Sequence, residues 1–211
     1  MRQIKRKPKT DFYLTHGNHK LSSKIIIFTL PSGITCPGKG ECAKWCYSQK
    51  AEKLYPQVIA ARKRNFEASK QPDFKSKMIE ALQWEMKHGR NILRLHQDGD
   101  IWCSSYWELW KDIAKRLPKL TIFCYTKSHH LPNLWTNLPK NIILIQSYGS
   151  KFDQLIDYRK STARVIDKVI EAKKGEYVCP YFQKTKGFKC GESCTYCMQR
   201  TGIKHVCFLR H

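Results

Sequence analysis

Short apolar runs of strand length recur along the chain, and longer stretches with helical spacing separate them. Lys24-Ile-Ile-Ile-Phe-Thr-Leu30 is apolar on both faces and reads as a buried strand. Residues 91–96, 120–125 and 141–146 repeat the pattern, with a weaker run at 163–166. After the first strand, Pro56 suits the first turn of a helix reaching about Ser69. A second helix opens near Pro72, sets Phe74, Met78, Ala81 and Leu82 on one face and stops at Gly89. Ser105 with Glu108 forms a capping-box pair before a helix striped by Tyr106, Trp110, Ile113, Ala114 and Leu117, which Pro118 ends.

Apolar strands alternating with helices predict an α/β fold, a parallel sheet covered by helices. Such sheets bind ligands at the carboxyl ends of their strands. The polar residues fall there. The first strand runs into Cys36, and the second ends in His96-Gln-Asp98-Gly-Asp100. The third ends in Tyr125-Thr-Lys-Ser128 and the fourth in Gln146-Ser-Tyr148. One rim is therefore expected to collect thiols, an imidazole, carboxylates, a lysine and hydroxyls.

Composition narrows the class. The 211 residues, 41% of them hydrophobic, suit one moderate domain, or one domain with a small cap. No apolar run approaches a membrane span; the longest, 25–30 and 142–145, are strand-sized. The charged start has no apolar region behind it, which argues against a signal peptide. Ten cysteines without one predict a reducing cytoplasm and metal sites over disulfides. The net charge of +22 exceeds what solubility needs and points to nucleic acid as substrate or partner. Its basic residues read as surface groups: the N-terminal arm, Arg62-Lys63-Arg64, Lys111 to Lys119, and Lys168 to Lys189.

Seven of the thiols form two groups. Cys36, Cys42 and Cys46 lie on a Gly-rich loop, Pro37-Gly-Lys-Gly40, where backbone can wrap closely round an inorganic core. Three thiolates leave one position of a 4Fe–4S cluster open, as catalysis requires; zinc completed by Cys103 or His96 is the alternative. Cys179, Cys190, Cys194 and Cys197 offer four ligands, a closed set for a second 4Fe–4S cluster or for zinc.

The stretch from Leu30 to Tyr47, with Arg64-Asn65 behind it, resembles the phage family called gene product 88. So do Arg94-Leu-His96-Gln-Asp-Gly99-Asp100, Tyr106-x3-Trp110, Tyr125-Thr126-Lys127-Ser128, Cys179-Pro180, the Cys190–Cys197 cluster and His211. The likeness covers nearly all the chain beyond residue 20 and extends to phage proteins built like radical S-adenosylmethionine (SAM) enzymes. It implies a partial parallel (β/α) barrel over residues 21–175, after a loosely held basic arm at 1–20. A Cys-rich, metal-bound cap at 176–211 would follow. In radical-SAM enzymes the open iron binds the amino and carboxylate groups of SAM, whose reductive cleavage gives a 5′-deoxyadenosyl radical. A reductant such as a ferredoxin or flavodoxin would supply the electron. Gly99-Asp100 stands where a Gly-Glu element normally holds the SAM amino group. The first group departs from the usual C-x3-C-x2-C spacing, which Cys190, Cys194 and Cys197 happen to match.

Other candidates keep two readings each. His96 would orient SAM, ligate metal or move protons, or be a hydrogen-bonded structural residue. Asp98 and Asp100 are loop-turn carboxylates or functional ones, Asp100 being favoured by the glycine before it. Lys127 would clamp a phosphate or carboxylate, or be a solvated cation, with Thr126 and Ser128 beside it as cofactor contacts. Cys124 and Cys207 read as small core residues. Trp107 and Trp110 read as packing, and Trp45 would shield the cluster from water. The leading function is a radical-SAM-like enzyme acting on nucleic acid or a nucleotide. Its rivals are a non-catalytic iron–sulfur or zinc protein that binds nucleic acid, and an electron-transfer module.

Overall fold

A computed structural model of the chain describes residues 6–183 and 187–210. The first five residues of the basic arm, Lys184 and Lys186 of the last basic stretch, and His211 lie outside the described residues.

The described residues form β1 (Thr15–His16), β2 (Ile25–Phe28), β3 (Ile92–Leu95), β4 (Thr121–Thr126), β5 (Ile142–Ser147), β6 (Thr162–Ile166), β7 (Tyr177–Val178) and β8 (His205–Leu209). These make one sheet in the order β1-β2-β3-β4-β5-β6-β8-β7. Every neighbouring pair is parallel except β1 with β2. Four α-helices accompany it: α1 (Tyr47–Leu54), α2 (Pro56–Ser69), α3 (Phe74–Lys87) and α4 (Ser104–Arg116). The fold is α/β with a mostly parallel sheet. No described helix is long and apolar enough to cross a membrane.

From β2 to β6 the strands lie side by side in chain order. Right-handed crossovers stepping one way place their helices on one face. On that face Ile26, Phe28, Leu93, Leu95, Ile122, Cys124, Ile142 and Leu144 pack with the apolar stripes of α3 and α4. Trp107 and Trp110 are fully buried there. Alternation along the strands sends Ile25, Ile27, Phe123, Ile143 and Ile145 to the opposite face. That face is covered by the C-terminal segment, through Cys179, Cys190, Cys197 and Met198.

Five differences from the sequence expectations have physical causes. β8 sits between β6 and β7, so the C-terminal stretch both covers one face of the sheet and adds strands to it. Phe12 is buried against Phe28 and Phe74, with ring centroids 6.3 and 5.4 Å away, so the arm is held from there on. The Ser105–Glu108 capping box is absent: Cys103 is the N-cap, no side chain caps it, and Glu108 pairs with Lys111 and Asn133 instead. Lys111 is buried, its ammonium donating to Asn133 O (3.2 Å) and Thr136 O (2.8 Å). Arg62 is buried too, for the reason given next.

Candidate functional site

The loop leaving β2 carries Cys36, Cys42 and Cys46 and is stitched to the carboxyl ends of β4 and β5. Ser150 Oγ reaches both Gly38 O and Lys127 O at 2.8 Å. Lys151 N donates to Gly38 O (3.2 Å), and Cys42 N to Gly149 O (3.2 Å). Gly38 is needed because a Cβ there would stand 1.8 Å from Lys127 O. Cys46 is the N-cap of α1. Burial pushes the Cys36 thiol up to about 12, and Asp100, Cys46 and Cys42 push the same way by their charges. The three thiols therefore share one electrostatic environment with Asp100.

Asp100 is the knot of this rim. Its Oδ1 accepts from Ile101 N (2.7 Å) and Thr126 Oγ1 (2.7 Å), and its Oδ2 from Lys127 N (2.8 Å). One acceptor position on Oδ2 is left. Burial raises its pKa, against the lowering pull of those donors. Gly99 enables the turn: φ is +78°, and a Cβ would meet Leu30 Cβ and Thr35 Oγ1 at 2.6 Å. Ser128 completes the lock, its N donating to Thr126 Oγ1 (3.0 Å) and its Oγ to Ile101 O (2.7 Å). Lys127 Nζ donates to Ser147 Oγ (2.5 Å) and Tyr148 O (2.8 Å). Burial lowers its pKa, opposed by Cys42 and Asp100. Gly99, Asp100, Thr126, Lys127 and Ser128 are thus brought together, with their polar atoms turned mostly on one another.

His96 and Asp98 take other partners. His96 has φ +58° and is buried, with Nε2 2.8 Å from Tyr106 Oη and Nδ1 without a hydrogen bond. Burial, then the charge of Arg94, lowers its pKa to about 3. A neutral imidazole facing α4 is therefore the state in the fold. Asp98 Oδ2 accepts from Arg62 Nη2 (2.5 Å), and Arg62 Nη1 donates to Glu52 Oε1 (2.7 Å) and Ser48 Oγ (2.8 Å). Glu52 in turn holds Ser32 N (2.8 Å) and Oγ (2.7 Å). Arg62 thereby fixes the start of the cysteine loop to the loop after β3. Nothing in the run Arg62-Lys63-Arg64 signals this, because periodicity does not mark a buried ion pair.

The second thiol group lies over the helix-free face. Cys179 N donates to Cys207 O (2.8 Å), and Cys190 bonds by its backbone to Lys20 O (2.9 Å) and Ser22 N (2.9 Å). Tyr177 Oη is 3.5 Å from Cys194 Sγ, and Cys197 has Tyr125 as a hydrogen-bond partner. Burial pushes Cys190 up to about 11 while Lys20 pulls it down, and Cys179, Cys197 and Cys194 raise it further. Among the described residues, no group of three or more His, Cys, Asp or Glu side chains stands so as to hold a metal ion as it is.

Arg94, named in the sequence only as part of the Arg94–Asp100 motif, was given no role there. It leaves β3 on the helix-free face, 4.2 Å from the Tyr125 ring centroid and 5.1 Å from that of Phe123. Its buried Nη1 has no hydrogen-bond partner, a costly arrangement for a charged donor. An arginine in an otherwise apolar strand was the available signal.

A family model described as Gene product 88 matches residues 3–207. Similar curated proteins are the Gene 88 protein of Mycobacterium phage L5 and the Gene 88 protein of Mycobacterium phage D29. Each is 26% identical over 133 residues, 58% of this chain and 56% and 55% of those proteins. The match thus spans little more than half the length of these relatives. No solved structure matches the chain.

Proposed function

Because the chain belongs to the Gene product 88 family, we propose that it is a phage iron–sulfur protein of radical-SAM-like build that acts on nucleic acid or a nucleotide in the host cytoplasm. The observation that carries this reading is the loop of Cys36, Cys42 and Cys46. Three soft donors share one electrostatic environment at the carboxyl ends of a parallel sheet wound in chain order. This winding supports a partial barrel, and the donor sets fit the groups assigned to them. Cys36, Cys42 and Cys46 would hold a 4Fe–4S cluster with one open position. Cys179, Cys190, Cys194 and Cys197 would hold a closed second cluster or zinc. Metal capture would require these side chains to turn inward and lose their protons, which burial now holds on Cys36 and Cys190.

When bound, the first cluster would supply one-electron reduction of SAM, with the electron drawn from a ferredoxin- or flavodoxin-class donor. The chain's own groups would position and shield. Asp100 offers its remaining Oδ2 site to an ammonium, while Thr126, Ser128 and the Lys127 amide hold that carboxylate still. Lys127 adds positive charge beside Cys42. Arg94, with its unpartnered Nη1, is the group we assign to an anionic part of the substrate. A non-catalytic iron–sulfur or zinc protein is favoured in turn by one feature: most polar atoms of the rim are already satisfied by protein partners.

Anaerobic reconstitution with iron, acid-labile sulfide and SAM cleavage all measured tests the reading. Wild-type protein is expected to be brown, and Cys42→Ala to lose one cluster's worth of iron while keeping the C-terminal metal. Zinc alone at both sites after strictly anaerobic preparation sinks the iron–sulfur assignment. A full, reducible cluster that neither binds nor cleaves SAM hands the case to the non-catalytic reading.

A further inference from the structure

The amino-terminal edge of the sheet carries the second functional surface. Seven segments enter the parallel strands; the five before β2, β3, β4, β5 and β8 (17–24, 87–91, 115–120, 137–141 and 199–204) contain no Asp or Glu, whereas those before β6 and β7 carry Asp157 and Glu176. Lys24, Lys87, Lys119 and Lys140 are exposed, and none forms an ion pair among the described residues. Exposed Arg200 lies across the same edge, donating to Pro118 O and Thr121 Oγ1 at 3.0 Å.

The register makes a row of them. Ile25 pairs with Ile92, Ile92 with Thr121, and Ile122 with Ile142. Lys24, Arg90, Lys119 and Lys140 each stand one or two residues before these positions, one cation for each of β2, β3, β4 and β5. At about 4.8 Å per strand the row spans roughly 15 Å. The carboxylates nearest in sequence are engaged: Glu85 is buried against Arg90 and His16, and Glu192 accepts from Ser22 Oγ (2.5 Å). On the opposite rim the cysteine loop mixes cations and acids, as in Glu41 with Lys44.

We propose that the acid-free part of this edge, from β2 to β5, binds the phosphate backbone of duplex nucleic acid without reading sequence, at the end of the sheet away from the Cys36–Cys46 loop. A row of regularly spaced cations, of which Lys24, Lys119 and Lys140 form no ion pair among the described residues, suits a polyanion of regular charge spacing, and contacts of that kind position without specifying. The duplex is then an anchor, and the rim is left free for whatever reacts there. This rests on the nucleic-acid half of the proposed function and is independent of its cluster half.

The test is binding to a mixed-sequence DNA duplex of about 20 base pairs across a salt series. Four neutralised phosphates predict a slope of log affinity against log salt near −3.6. Lys24→Gln, Lys87→Gln, Lys119→Gln and Lys140→Gln combined, which leave Arg90 in place, should bring the slope to about −0.9 and weaken low-salt binding at least tenfold. The control, Lys39→Gln, Lys50→Gln, Lys53→Gln and Lys151→Gln, changes net charge equally on the rim and should lose under threefold. Circular dichroism and thermal midpoints check that both variants fold. Equal losses in the two variants, a larger loss in the control, or salt-indifferent wild-type binding each overturn the proposal. So does polyglutamate bound as tightly as DNA, which would make the partner an acidic protein. Iron content reads out separately: an edge that binds DNA on a zinc-only protein keeps this inference and removes the cluster reading.

Discussion

Arg62→Ala should destabilise the protein by about 3–5 kcal/mol, the cost of removing one partner from a buried charge network. The side chain is 9% exposed and holds Asp98 at 2.5 Å and Glu52 at 2.7 Å. Both carboxylates are themselves largely buried. Without the guanidinium they face each other unneutralised, and burial, which already raises the pKa of Asp98, would raise it further. Loss of the network also frees Ser32, and with it the start of the first cysteine loop. Urea unfolding at neutral pH measures the effect. Arg62→Lys should recover little, because one ammonium cannot reproduce the fork that spans Asp98, Glu52 and Ser48. Adding Asp98→Asn to Arg62→Ala should recover part of the loss. A midpoint change worth under 1 kcal/mol would mean that the network is solvated in solution.

Acidification should unfold the protein through His96. Its pKa is near 6.5 unfolded and about 3 in the fold, because the ring is buried beside Tyr106 and near Arg94. Between those values the unfolded chain binds the extra proton, so stability falls as pH falls. The slope from this group is about 1.4 kcal/mol per pH unit, and the full loss by pH 3 is about 4–5 kcal/mol. Asp98 and Asp100 act in the opposite sense: burial raises their pKa values, so protonation favours the folded state as pH drops. His96→Asn separates the two effects, since Asn accepts the +58° φ and carries no proton. Urea unfolding at pH 7, 6, 5 and 4 should show an acid slope shallower by about one proton in the variant. Parallel slopes would place the titration elsewhere.

The strands and the longer helices were legible because their signals are local. A run such as Ile25–Phe28 is apolar on both faces, and Pro56 and the Tyr106–Leu117 stripe mark helices through dihedral preference and period. The rim followed from topology, since strand ends fix where Cys36, Asp100 and Lys127 must fall. Neighbours decided what those side chains do. Arg62 and Lys111 read as surface cations until tertiary packing buries them against carboxylates and backbone carbonyls. β7 is only two residues long, and β8, though apolar, follows the cysteine-rich tail without a helix before it, so its pairing with β6 is what shows it as a strand.

The basic edge is the clearest case. Lys24, Arg90, Lys119 and Lys140 lie far apart in the chain, and no window of sequence joins them. Strand register alone sets them in a row, because parallel pairing aligns the residues that precede each strand. Charge and cysteine spacing are what the proposed kinds of partner rest on. Which end of the sheet each partner meets depends on long-range hydrogen bonding, which no local pattern encodes.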